Sequence, residues 1–355
     1  MTTHAQLPTI SVRLCTDLRK VDWHAWECFA RQFGAQALYC DPRWVSALCS
    51  GLRHKPYVLF AERGDRLVGV LPLAFVKSFL FGRFLVSLPY VNSGGVIAEN
   101  SSAAVALIDR AVKLADELDV RYLELRHEVE VEHPKLACKV TSKVHMRLAL
   151  PSSSEKLWKG FTPKVRNQIR KATNHGLSVH WGGAELLGGF YAVFSRNMRD
   201  LGTPVFGRGL FNSILMQFRE HAELCIVRLG QRPIAAGLLV HGRGITEVPS
   251  ASSLRRWNST NANMLMYWHL LRRAIERGQN VFDFGRSSLD SPTFRFKKQW
   301  GALPHAAIWQ YYVRNGTVGD MRPDNSRYQQ IIKIWRRLPV GLTRLIGPLV
   351  VRGIP

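Results

Sequence analysis

Two copies of one α/β unit, each a mixed sheet flanked by helices, are the fold class that the sequence predicts. Three observations lead there. First, residues 103–126 and 261–286 share one layout, a long helix feeding a strand that ends in an acid and then an arginine. The first closes on Val120-Arg-Tyr-Leu-Glu-Leu-Arg126 and the second on Asn280-Val-Phe-Asp-Phe-Gly-Arg286. Second, a hairpin signal precedes the helix in each half. Third, 355 residues, 46% of them hydrophobic, suffice for two domains with separate cores.

In the first half, residues 57–61 and 67–73 flank the turn Arg63-Gly64-Asp65 and read as a hairpin. A strand at 84–88, the pair Gly94-Gly95, a helix near 103–118 and a strand at 120–125 follow. In the second half, strands at 225–229 and 234–240 flank Gly230-Gln-Arg-Pro233. A third strand at 245–249, a helix at 261–277 and a strand at 281–284 then repeat the order. Between the halves, Pro151-Ser-Ser-Ser154 has the composition of a linker, and Thr162-Pro163 supplies a capping hydroxyl and a first-turn proline. The helix starting there sets Val165, Ile169 and Ala172 on one face and Lys164, Arg166, Arg170 and Lys171 on the other, with Asn174-His-Gly176 as its C-cap. The expected division is a domain at 1–150, a domain with the active site at 151–315, and a basic amphipathic tail at 316–355. In that tail Trp335, Leu338, Leu342, Leu345 and Ile346 alternate with Arg336, Arg337 and Arg344, which suits either packing on the body or lying on an anionic surface.

Charge and composition narrow the partners. A formal net charge of +23 and a pI near 10.3 attract phosphates, nucleic acids and anionic lipid faces without choosing among them. The start Met1-Thr-Thr-His-Ala-Gln lacks a basic segment leading into an apolar run, so the expected compartment is the cytoplasm. The most apolar stretch, 67–91, is broken by Pro72, Lys77, Gly82, Arg83 and Pro89 and reads as strands instead of a membrane span. Six cysteines with no C-x-x-C pair read as reduced thiols, and no structural metal is expected. His127-Glu-Val-Glu-Val-Glu-His133 alternates with period two and is expected to be a solvated strand with its glutamates on one face. The twelve histidines form no H-E-x-x-H or hydrolase signature.

The segments Phe161-Thr-Pro-Lys-Val-Arg-Asn-Gln-Ile-Arg-Lys-Ala-Thr-Asn-His-Gly176, Phe282-Asp-Phe-Gly-Arg-Ser287 and Phe294-Arg-Phe-Lys-Lys-Gln-Trp-Gly301 resemble the FemAB family of acyl- and aminoacyltransferases. With Gly69-Val-Leu-Pro-Leu73, Lys77-Ser78, Leu85-Val-Ser-Leu-Pro89 and Gly94-Gly95, they are similar to the subgroup associated with exosortase and PEP-CTERM systems and exopolysaccharide production. The resemblance covers about residues 20–350. It implies tandem domains of the GNAT acetyltransferase fold and transfer of an acyl or aminoacyl group to an amine. The donor is then aminoacyl-tRNA or acyl-CoA, no cofactor is permanently bound, and the acceptor is an anionic cell-envelope or polysaccharide precursor. No long heptad-patterned arm of the kind some Fem proteins carry is visible.

Acyl transfer needs a positioned amine, a route for its proton and positive groups facing the carbonyl oxygen. The stretch after Phe284 offers these. Gly285 permits a sharp turn at a strand end, and Ser291-Pro292 starts a helix that Gly301 stops. The expected catalytic set is Lys297 or Lys298 as electrostatic stabiliser, Arg286 as anion clamp and Asp283 as orienter or proton acceptor. Ser287, Trp300, Lys77 near Gly94-Gly95, and Lys164, Arg166, Arg170 and Lys171 are expected to bind substrate, the last four through a diphosphate or a tRNA backbone. Against this stands a bland reading in which Asp283 and Arg286 form a structural ion pair and the lysines are solvated. Arg255-Arg256 and Arg272-Arg273 are weaker basic candidates. An R-x-x-G-x-G/A coenzyme A loop has its nearest match in Arg31-Gln-Phe-Gly-Ala-Gln36, which ends in glutamine and lies before the first sheet, so acetyl-CoA is disfavoured. Two other activities compete: an acyl-CoA-dependent N-acetyltransferase, and a non-catalytic module that binds anionic polysaccharide precursor or RNA at the inner membrane face.

Overall fold

Two mixed sheets carry the chain in its computed structural model, which describes residues 9–318 and 326–355. The start of the chain, read above for a targeting signal, and residues 319–325 of the expected tail lie outside the described residues. In spatial order the first sheet is β1 (Ile10–Cys15), β2 (Lys55–Arg63), β3 (Arg66–Ser78), β4 (Gly82–Val86), β6 (Tyr122–His127), β15 (Ile308–Val313) and β7 (Cys138–Val140), with β5 (Ile97–Ala98) paired to β3. The second is β9 (Leu177–Gly182), β10 (Ala222–Leu229), β11 (Arg232–Gly242), β12 (Ile245–Ser253), β13 (Val281–Ser288), β8 (Lys143–Ala149) and β14 (Leu303–Ala306).

The sheets correspond strand for strand. Three hairpin-linked antiparallel strands lead to a helix, α3 (Ser101–Glu117) or α8 (Ala262–Glu276), and the following strand pairs in parallel: β4 with β6, β12 with β13. The sixth place in each sheet is filled from the other copy. After β6 the chain lays β7 at the far edge of its own sheet and then crosses to place β8 beside β13. After β13 it lays β14 at its own edge and crosses back to place β15 beside β6. Sheet membership therefore does not follow the division at 150: β8 precedes it yet pairs in the second sheet, and β15 follows it yet pairs in the first.

Local signals explain the element starts. Asn100 accepts the Ala103 amide at the head of α3, and Thr162 accepts the Val165 amide at the head of α5 (Pro163–Asn174), where proline occupies a position whose N–H would be unpaired anyway. Helix α3 covers the outer face of the first sheet through Leu107, Ile108 and Ala111, and α5 with α8 covers the outer face of the second. Between the sheets lie α1 (Trp23–Ala30), α2 (Arg43–Leu52), α6 (Leu187–Leu201) and α7 (Arg208–Phe218). Trp44 and Phe218 meet there at 4.6 Å, in a core that also takes Val58 and Phe60 from one sheet and Leu224 and Ile226 from the other. The two copies are thus joined by apolar packing as well as by exchanged strands.

One expectation needs correction. The strand expected at 127–133 does not form: β6 ends at His127 and the chain after it is irregular. Glu128 is turned inward instead of lying on a solvated face. In the tail, α10 (Ser326–Trp335) and α11 (Val340–Val351) pack on the body through Trp335, Thr343, Gly347 and Val351. Leu342, Leu345 and Leu349 remain exposed. Among the described residues no helix is long and apolar enough to cross a membrane.

Candidate active site

Strand β13 sends Phe282 and Phe284 into the apolar layer under α8 and Asp283 toward the first copy. Gly285 then interrupts the alternation. Its φ of 75° is open to glycine at little cost, and the pairing with β8 shifts register between Asp283 and Arg286. An added Cβ there would also stand 3.2 Å from Asn92 Nδ2. The bulge turns Asp283 and Arg286 toward different partners.

Asp283 is fully buried and accepts three hydrogen bonds: from the Gly285 amide (2.6 Å) on Oδ1, and from Tyr39 OH (2.6 Å) and Arg147 Nε (2.8 Å) on Oδ2. Arg147, on β8, uses its other two nitrogens on both Glu128 oxygens (2.8 and 2.6 Å), and Ser93 Oγ donates to Glu128 Oε1 (2.7 Å). Burial works to raise the Asp283 pKa, but the His145 and Arg147 charges and the Tyr39 and Arg147 hydrogen bonds hold it below the usual carboxylate range. Burial likewise opposes the ionised Glu128, and Arg147 overcomes it. This seam ties β13 and β8 to the segment after β6 and to the turn before α2. It is a satisfied structural network.

Arg286 is left to do something else. Its Nε donates to Asn92 Oδ1 (3.0 Å), and among the described residues its terminal nitrogens carry no hydrogen bond. The guanidinium lies 3.5 Å from the ring centroid of Trp309, and the Arg126 guanidinium lies 4.1 Å from the same ring. Burial, then the Arg126 charge, lowers the Arg286 pKa to about 9. An anion resting beside the two arginines would relieve that repulsion. Asn92 is the hub: its Nδ2 donates to Glu247 Oε1 (3.1 Å), and its carbonyl accepts from Trp309 Nε1 (3.2 Å). Burial, with the Asp283 charge nearby, raises the Glu247 pKa to about 8, so this carboxyl is largely protonated at neutral pH.

Lys297 completes the group. Ser291 accepts the Phe294 amide to start α9 (Pro292–Lys298), and one turn later Lys297 Nζ reaches back to the carbonyls of Gly285 (3.0 Å) and Arg286 (2.9 Å). An ammonium has three donors, so one remains. Burial lowers the Lys297 pKa to about 8 while the Asp283 and Glu247 carboxyls work to raise it. Close by, Ser287 Oγ, Glu247 Oε2 and both His145 nitrogens are buried without a hydrogen-bond partner among the described residues. A buried polar atom without a partner is costly, and a polar occupant would remove that cost.

The other expected residues fall elsewhere. Lys298 is exposed on the far side of α9, so of the two lysines only Lys297 meets Asp283's strand. Lys77 is exposed at the end of β3, seven residues beyond Val70, which pairs with Ile97 after the glycine pair; that is roughly 20 Å along the strand. Lys164, Arg170 and Lys171 are exposed and Arg166 is half-buried on α5, outside the seam. Of these, Arg170 connects toward Trp300, just past α9, by a relay of rings: Arg170 on Trp158, Trp158 on Trp268, Trp268 on Phe161, and Phe161 on Trp300. Trp300 is a buried core ring. Arg273 forms a two-pronged pair with buried Glu223, and Arg272 pairs with Glu276. Among the described residues no three metal-ligating side chains are grouped together. Tyr39, Asn92, Arg147, Glu247 and Trp309 were not singled out from the sequence. Each arrives from a distant strand or loop, and only strand exchange brings Arg147 and Trp309 in.

A family model described as an acetyltransferase (GNAT) domain matches residues 161–298. Among solved structures, FemX is 15% identical, with a TM-score of 0.62, covering 85% of this chain and 98% of its own. L-PGS from Bacillus licheniformis is 13% identical at a TM-score of 0.52, covering 94% and 98%. A tandem GNAT protein from the clavulanic acid biosynthesis pathway is 12% identical at 0.52, covering 87% and 100%. No curated protein matches the chain. The chain has a tandem GNAT-like fold, similar to that of FemX.

Proposed function

We propose that this chain moves an acyl or aminoacyl group from an activated donor to an amine, forming an amide on an anionic cell-envelope or exopolysaccharide precursor at the cytoplasmic side of the envelope. The amine attacks the carbonyl carbon of the donor ester or thioester, a C–N bond forms and the C–O or C–S bond breaks. The proton leaving the amine goes to the departing oxygen or sulfur. Negative charge builds on the carbonyl oxygen between these events, and Lys297 answers it with its third donor. The observation that carries this reading is Lys297 Nζ held by two carbonyls at the strand end, buried yet still largely protonated at neutral pH. Arg286, whose terminal nitrogens carry no hydrogen bond among the described residues, clamps an anionic group of the acceptor. Asp283 already accepts three hydrogen bonds and serves to orient the strand end instead of taking the proton.

Aminoacyl-tRNA is the donor that best suits a charge of +23 and the exposed bases of α5. Residues 31–38, which hold the nearest coenzyme A-like match, form a 3₁₀ helix ahead of β2, away from the strand-to-helix turn where backbone amides would cradle a pyrophosphate. The test is to incubate the protein with aminoacyl-tRNA, or with acyl-CoA, and an amine-bearing nucleotide sugar, and to look for the amide by mass spectrometry. The expected result is product with the tRNA donor, a loss of about 10²–10³-fold in Lys297→Ala, and near-wild-type activity in Lys298→Ala. Product from acyl-CoA alone would reassign the donor. Salt-sensitive binding with no product from either donor would leave a binding module.

A further inference from the structure

The outer face of the tail is apolar where surface helices are usually polar. On α11, Leu342, Leu345 and Leu349 recur at i, i+3 and i+7, opposite the buried Thr343, Gly347 and Val351. Leu345 is 72% exposed. On α10, Ile331 and Ile334 are exposed in the same way, while Trp335 turns inward. Inward packing accounts for one side of each helix and leaves the other unexplained.

The patch extends beyond the tail. Gly353, just past α11, packs so closely on Ser78 that an added Cβ would stand 2.5 Å from its Oγ. Ser78 accepts the Leu80 and Phe81 amides and so shapes the β3–β4 tip. That tip carries Phe79, fully exposed, and Leu80, 69% exposed. At the other end, Arg336 donates to the Leu201 carbonyl, bringing the exposed end of α6 against α10. Continuous contacts therefore join the hairpin tip, α11, α10 and the end of α6.

Its charge is one-sided. Residues 326–355 hold six basic residues, Arg327, Lys333, Arg336, Arg337, Arg344 and Arg352, and no Asp or Glu. The tip adds Lys77, also exposed. A second copy docking through α10 and α11 would set bases against bases with no acid in residues 326–355 to answer them. We propose that the face seats the protein on an anionic lipid bilayer, with the leucines, isoleucines and Phe79 entering the headgroup boundary and the exposed Lys77, Lys333 and Arg337 meeting lipid phosphates. This docking is independent of the transfer chemistry and needs no α11 movement, since the buried side of the helix already holds it to α6.

The experiment is flotation of the full chain with vesicles of phosphatidylglycerol and phosphatidylcholine in equal parts, and with phosphatidylcholine alone. Binding is expected only to the first and should fall with salt. Leu345→Asp with Leu349→Asp should weaken it by about a hundredfold. Lys333→Gln with Arg337→Gln should weaken it by about fivefold for each charge removed. All four side chains are exposed, so an unchanged thermal melt shows that the variants fold. Absence of the wild type from the anionic vesicles, undiminished binding by the leucine variant, or a dimer that this variant dissociates would overturn the proposal.

Discussion

In the first copy Arg126 folds back on Glu124, two residues earlier, with Nε 2.7 Å from Oε1 and both side chains buried; in the second, Gly285 lengthens the same acid-to-arginine spacing by one residue. The consequences diverge from there. Arg126 Nη1 also donates to the carbonyls of Leu88 and Val91, so two of its three side-chain nitrogens hold the fold. Asp283 takes Arg147 and Tyr39 from elsewhere, and among the described residues the Arg286 side chain is left with a single hydrogen bond, to Asn92. A duplicated unit thus keeps a structural ion pair in one copy and, through a one-residue bulge, separates the pair in the other. The bulge also presents the carbonyls that Lys297 binds.

The two copies should differ most at these arginines. Arg126→Ala strands Glu124 in the interior and should cost about 3–5 kcal/mol in urea unfolding, whereas Arg286→Ala should cost about 1 kcal/mol. Equal losses would mean that Arg286 is as structural as its counterpart. Next comes Tyr39→Phe, which removes a hydrogen bond to a buried charge and should cost about 2 kcal/mol. The depressed Asp283 pKa contributes stability that is present above the unfolded-state pKa and lost as pH falls through the folded-state value. Tyr39→Phe narrows that gap, so acid unfolding should begin at higher pH. An effect as small as that of Arg286→Ala is expected from Gly285→Ala, about 1 kcal/mol from the left-handed φ, together with disturbance of Asn92 and of Arg286 behind it. Activity falling further than stability would tie the bulge to the chemistry.

Much of this organisation is written locally. The two helix-to-strand units, the Thr162-Pro163 and Ser291-Pro292 starts, and the short helix that carries Lys297 and Lys298 follow from periodicity and capping, which act over a few residues, whereas the choice between the two lysines does not. What escaped the sequence depends on long-range pairing. Nothing near Arg147 or Trp309 says that β8 and β15 change sheets, so their meeting with Asp283 and Arg286 could not be read. Glu128 illustrates the opposite failure. Its period-two setting imitates a solvated strand, and burial against Arg147 overrides the local pattern. Lys77 was misjudged because adjacency to a glycine pair was inferred without the length of β3, which carries it away.

The Lys297 ammonium of the second copy is the centre of the proposed chemistry, and the pH profile of amide formation is its sharpest probe. With a pKa lowered to about 8, Lys297 loses its proton as pH rises through that value, so kcat/KM should fall about tenfold per pH unit above it. Glu247 titrates in the same range, and Glu247→Gln should leave the falling limb in place. Lys297→Arg, which keeps its charge, should move the limb to higher pH at reduced rate. A limb that persists at about 8 in Lys297→Arg and disappears in Glu247→Gln would contradict the assignment and shift the chemistry to the carboxyl.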